Sequence, residues 1–120
     1  MANLQSREKV AERLWDWEFL NSALPGAIRP MDIDGVVEIN GNFLILEAKP
    51  LGKEIPTGQM IALQNASQKP DFHVLILYGE PSTPEKMRLL GHQSDPVNCS
   101  IEDVSGLVQR WAQYAKGNDA

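Results

Sequence analysis

Apolar positions along this chain recur with two different periods, and the change from one to the other marks its elements. Over residues 5 to 20, Val10, Leu14 and Trp17 follow i, i+4, i+7 spacing, which predicts a helix with Ser6 as its N-cap. The next stretch, NSALPGAIRPM, contains Pro25-Gly26 and Pro30 and reads as a loop or a short irregular strand. Residues 33 to 39 and 43 to 49 are β-branched and aliphatic, with Asn40-Gly41 and one further residue between them. That is the pattern of a hairpin closed by a two-residue turn. PLGKEIPTG is a loop, and residues 58 to 68 read as a helix capped by Thr57. FHVLILY, residues 72 to 78, is a continuous apolar run of strand length. It fits a strand covered on both faces inside a sheet. Strand, helix and buried strand across 43 to 78 therefore predict a βαβ unit.

After Gly79 the pattern is weaker. STPEKMRLL fits a helix with Thr83 as N-cap and Pro84 at its first position. GHQSDPVNCS reads as loop with a short strand. Residues 101 to 116 read as a final helix, with Ser100 and Asp103 forming a capping box. Val104, Leu107, Val108, Trp111 and Ala115 make its apolar face, and Gly117 ends it.

Length and composition narrow the setting. A chain of 120 residues is expected to form one domain, 1–120, with one hydrophobic core. No apolar run is long enough to cross a membrane, and MANLQSREKVAERLW lacks the apolar stretch of a signal peptide, so the expected location is the cytoplasm. The one cysteine, Cys99, excludes an internal disulfide and a cysteine-rich zinc site. A net charge of −5 argues against binding nucleic acid through a broadly basic surface, but not against a local site.

The charges that interrupt the apolar hairpin carry the candidate chemistry. With Asn40-Gly41 as the turn, Ile39 pairs with Asn42, Asp34 falls opposite Glu47, and Asp32 falls opposite Lys49. Alternation puts residues 32, 34, 47 and 49 on one face. Ile33, Val37, Ile39, Leu44, Leu46 and Ala48 then form a core face on the other side. A bulge in the turn would shift this parity by one. Two carboxylates held that close repel each other, and a divalent cation between them removes the repulsion. Oxygen donors suit a hard ion such as Mg²⁺. Lys49 projects to the same side, placed to orient a water or to neutralise charge developing on phosphorus.

Asp34 followed by Glu47-Ala48-Lys49 resembles the PD-(D/E)XK nuclease superfamily, in which an acid on one strand is followed by an acid-x-Lys on the next. DIDGVVEINGNFLILEAK is similar to its small phage and prophage nucleases and, more distantly, to archaeal Holliday junction resolvases. The resemblance covers roughly residues 6 to 78. It implies an α/β fold with a restriction-endonuclease-like αβββαβ core, a mixed sheet flanked by helices and an extra C-terminal helix. It implies a Mg²⁺-dependent deoxyribonuclease, with Mn²⁺ as a substitute. Asp34 and Glu47 would hold the metal with the Ala48 carbonyl, and Lys49 would be the catalytic lysine. Gln59 would face the active site or the substrate backbone, and Glu8 or Glu12 would join from the first helix.

The chain departs from the pattern at the proline, since Ile33 precedes Asp34. Only GAIRPM remains for the first of the three strands. DNA is the expected partner, tracked by Arg7, Arg13, Arg29, Lys53 and Lys69, and dimerisation would let a domain this small cut two strands. His73 is expected to be a satisfied core or edge residue, and Trp15, Trp17 and Trp111 to serve core or interface. The alternatives are a catalytically silent nuclease-fold binding module and a small interaction protein docking through its tryptophan-bearing helices.

Overall fold

Asn40 and Gly41 both adopt positive φ, 51° and 81°, as the tight hairpin turn requires. The computed structural model describes residues 15–117, and the turn joins β1 (Gly35–Ile39) to β2 (Asn42–Lys49). Their pairing runs from Ile39↔Asn42 to Gly35↔Leu46, the register expected from the sequence. From β2 the chain passes through α1 (Thr57–Ser67) into β3 (Phe72–Glu80), which lies parallel to β2. The βαβ unit therefore forms as expected.

Residues 83 to 89 are not the expected helix. They form β4 (Thr83–Leu89), antiparallel to β3, followed by the short β5 (Val97–Asn98). Thr83-Pro84 does look like the start of a helix. However, Ser82 at φ 61° turns the chain straight back onto β3, whose edge supplies hydrogen-bond partners. Pro84 has no N–H to give the ladder, and it sits opposite Gly79 where the register slips. The sheet among the described residues is thus mixed and five-stranded, in the order β1-β2-β3-β4-β5.

One helix packs on each face of the sheet. Ile45, Val74 and Ile76 bury against Ile55 and Leu63 on the α1 side, with Met60 and Tyr78 at the margin. Leu44 and Leu75 bury against Trp111 and Ala115 of α2 (Ile101–Ala115), flanked by Val37, Ile39, Leu46, Met87 and Leu89. Leu44, Val74, Leu75 and Ile76 are fully buried, each worth about 1.5–3 kcal/mol relative to exposure. Coverage on both faces explains why β2 and β3 read as nearly unbroken apolar runs. The core face stops at Leu46, because Ile33 is 52% exposed and Ala48 is exposed as well. The Ser100–Asp103 capping box forms in full, and Gly117, at φ 82°, follows the helix end. His73 accepts a hydrogen bond at Nδ1 from Trp111 Nε1, 3.2 Å away, and so is satisfied as expected.

One further expectation changes, since Pro56 is the N-cap of α1 rather than Thr57, and no side chain caps the helix. The described residues up to Asp32 and those from Ile33 onward form two compact units. In the first, only a 3-10 turn, Trp17–Leu20, is helical among the described residues. Asp16 has extended backbone and accepts from the Glu18 N–H at 2.9 Å, which starts that turn afresh and breaks the expected run at residues 15 and 16. Residues 26 to 31 form no strand. Gly26 turns at φ 58°, and Arg29 Nη1 donates to the carbonyls of Gly26 and Ile28. Ser6, Arg7, Glu8, Val10, Glu12, Arg13 and Leu14 lie outside the described residues.

Gly79 holds the β3–β4 irregularity at φ 152°, and a Cβ there would collide with the carbonyl oxygen of Thr83. Gly79→Ala should therefore cost about 1–3 kcal/mol of stability in urea unfolding. An unchanged midpoint would show that the bulge relaxes freely.

Candidate active site

The hairpin delivers its charges to the α1 face of the sheet. Glu47 follows Leu46 on β2 and shares a face with Ile45 and, across the parallel ladder, with Ile76. It is the one buried charged residue among those described, at 3% exposure. Asp34 comes one residue before β1, just beyond the last ladder pair, Gly35↔Leu46. Its Oδ2 accepts from the Ala48 N–H at 2.9 Å. That bond fixes the exposed aspartate against the strand that carries the buried glutamate.

Lys49 Nζ lies 3.8 Å from Glu47 Oε1. Asp32 was expected opposite Lys49, but the ladder ends at Gly35, before Asp32, and the ion pair of Lys49 is with Glu47. Gln59 lies in the first turn of α1, where its amide favours the ionised form of the same carboxylate.

Three side chains and burial therefore act on one acid. Burial pushes the Glu47 carboxyl above its usual range, and the neighbouring Asp34 charge pushes it further. The Gln59 amide and the Lys49 ammonium pull it back down. The upward influences win. Glu47 Oε2 is also buried without a hydrogen-bond partner, a costly state for a charged oxygen. A proton, a hydrogen-bond donor or a cation would satisfy it. Asp34, Glu47 and the Ala48 carbonyl are hard oxygen donors of the kind Mg²⁺ takes, and two carboxylates with water completing the shell is a common arrangement for that ion. Among the described residues no cluster of three or more His, Cys, Asp and Glu side chains occurs, so any such site rests on this pair.

A groove of about 410 Å³ opens at this end of the sheet, lined by Asp34, Lys49, Tyr78 and the β3–β4 turn. Tyr78 pairs with Lys49 across the ladder and shares its face. The sequence reading missed Tyr78, and it missed Lys86 and Arg88 on β4, because those residues were assigned to a helix. The alternation Lys86-Met87-Arg88-Leu89 was the signal that pointed to a strand.

Of the cations expected to track DNA, Lys53 lies in the loop before α1, Lys69 follows its C-terminus, and Arg29 belongs to the first unit. No helix among the described residues is long and apolar enough to cross a membrane. No family model, curated protein or solved structure matches this chain.

The raised Glu47 carboxyl gives a signed prediction for the metal-free protein. In the unfolded chain Glu47 ionises near 4.5, and in the fold it ionises later. It therefore favours folding below that pH, and the benefit is lost as pH rises through the folded value. In EDTA, Glu47→Gln should melt several degrees above wild type at pH 8, with the gap closing toward pH 4. A wild type that is the more stable protein at pH 8 would show that Lys49 and Gln59 outweigh burial.

Proposed function

We propose that this chain is a metal-dependent nuclease that hydrolyses phosphodiester bonds in DNA. The supporting observation is Glu47: buried, with one oxygen unpartnered, beside Asp34 and 3.8 Å from Lys49 on one sheet face. A purely structural acid at this place would cost stability and return nothing. The same residues carry the resemblance to the PD-(D/E)XK superfamily. In this reading the segment from β1 to β3 corresponds to the end of its αβββαβ core, with β4, β5 and α2 added, although the first strand of that core has no counterpart at residues 26 to 31.

Asp34, Glu47 and the Ala48 carbonyl would hold Mg²⁺. When bound, the ion supplies a Lewis acid for a phosphoryl oxygen and lowers the pKa of water. Lys49 donates a hydrogen bond to the attacking water or to the phosphoryl oxygens as negative charge grows there. The water oxygen bonds to phosphorus in line with the leaving 3′ oxygen and gives up a proton to solvent. The P–O3′ bond breaks, and solvent returns a proton to the 3′ oxygen. Gln59 orients the Glu47 carboxylate, and the side-chain-free N-terminus of α1 leaves backbone N–H groups toward a phosphate.

A second reading, a nuclease-fold module that binds without cutting, is favoured by the small donor set, a carboxylate pair without a third acid among the described residues. Plasmid and single-stranded DNA incubated with Mg²⁺ or Mn²⁺ separate the two. Wild type should cleave, and Lys49→Ala should be slower by roughly 10²–10³-fold. Equal cleavage by both proteins would sink the assignment. No cleavage, with calorimetric Mn²⁺ binding that is lost in Glu47→Ala, would favour the silent module.

A further inference from the structure

The β4 strand carries a feature that the proposed chemistry does not use. Lys49 pairs with Tyr78, Tyr78 with Lys86, and Lys86 with Asn98, so these four residues form one row across the α1 face of the sheet. Arg88 stands one row behind, opposite Ile76. Adjacent strands are about 4.8 Å apart, so Lys86 sits two strands, about 10 Å, from Lys49.

Beside this row lies a recess of about 620 Å³, lined by Lys53, Glu54, Tyr78, Lys86, Arg88 and Pro96 among others. Tyr78 lines this recess and also the groove at Asp34 and Lys49, so the two adjoin. Three cations face one carboxylate there, on a protein whose net charge is −5. The half-buried Arg88 is held in place, its Nε donating to the Gln93 carbonyl at 3.1 Å. Gln93 is itself anchored, its Oε1 accepting from the Leu89 N–H at 2.8 Å. Lys53 and Lys86 are exposed and free to move onto an anion.

We infer that this recess is the track for a single strand of DNA leading to Glu47 and Lys49, with Lys53, Lys86 and Arg88 on its phosphates and Tyr78 under a base. The inference rests on the nuclease reading for its direction but not for its charge. A cationic groove with an aromatic floor is the chemistry that holds single strands without sequence preference. The acidity of the remaining surface would then confine nucleic acid to this path.

The test is fluorescence anisotropy of a labelled single-stranded oligonucleotide in EDTA, where cleavage cannot occur, over a range of salt. Wild type should bind with a salt-dependent affinity. Lys53→Ala/Lys86→Ala should flatten the log K against log salt slope by roughly 1.4, two phosphate contacts on a single strand. Lys116→Ala, at the end of α2 and outside the recess, should leave the slope unchanged. Both recess lysines are exposed, so the double variant should melt with wild type. An unchanged slope in the double variant overturns the track, as does binding of duplex but not single strand. If that slope change appears in a protein that cuts no DNA with Mg²⁺, the track stands and hydrolysis fails. If the protein cuts DNA and the slope does not change, hydrolysis stands and the track fails.

Discussion

Every assignment of a side chain to a face depends on the Asn40-Gly41 turn. Two consecutive residues at positive φ close the hairpin without a bulge, so Ile39 meets Asn42 and the ladder runs in register to Gly35. A slip of one residue would turn Glu47 toward α2 and Leu46 toward α1. It would bury a carboxylate beside Trp111 and leave Asp34 no neighbour to act on. The turn thus settles more than the course of the chain. It decides which helix covers the acid, and so which first turn, that of α1 with Gln59, faces it.

The site lies on a face that is otherwise core. Ile45 and Ile76 bury against Ile55 and Leu63, while Glu47, two residues beyond Ile45, is buried with one oxygen unpartnered. Placing a charge there conflicts with packing. The conflict is eased by the position of Glu47 near the end of the sheet, where the core on the opposite face has already stopped and Ala48 is exposed. Lys49 and Gln59 offset part of the penalty. The remainder raises the affinity of the carboxylate for a proton.

Much of this was legible in the sequence, for identifiable reasons. The hairpin, α1, β3 and α2 each carry a strong local signal: a two-residue turn, a break after Pro56, an unbroken apolar run, and a capping box before an apolar stripe. Asp34, Glu47, Lys49 and Gln59 all lie within those segments, so the candidate site could be read as well. The strand β4 could not. Thr83-Pro84 is chemistry for a helix start, and what overrides it is a tertiary fact, the free edge of β3 beside a left-handed Ser82. Two of the three recess cations were lost with that strand, since Lys86 and Arg88 on a helix would have no fixed relation to Lys49. The break at Asp16 likewise depends on one side chain capping locally against the helical spacing around it.

The parallel contact of β2 with β3 has a further consequence, in the order of assembly. Asp34, Glu47, Lys49 and Gln59 come from one short contiguous stretch, and the hairpin that carries three of them closes through local contacts, the kind that form early. But β2 is covered on its second side only when β3, arriving from beyond α1, lies against it. Until then Glu47 is an ordinary solvated acid. The residues of the site are brought together early, whereas the burial that raises the Glu47 carboxyl arrives late, with the slow non-local step. A partly folded chain would therefore hold the right groups in the right order and still lack the environment that shifts that acid.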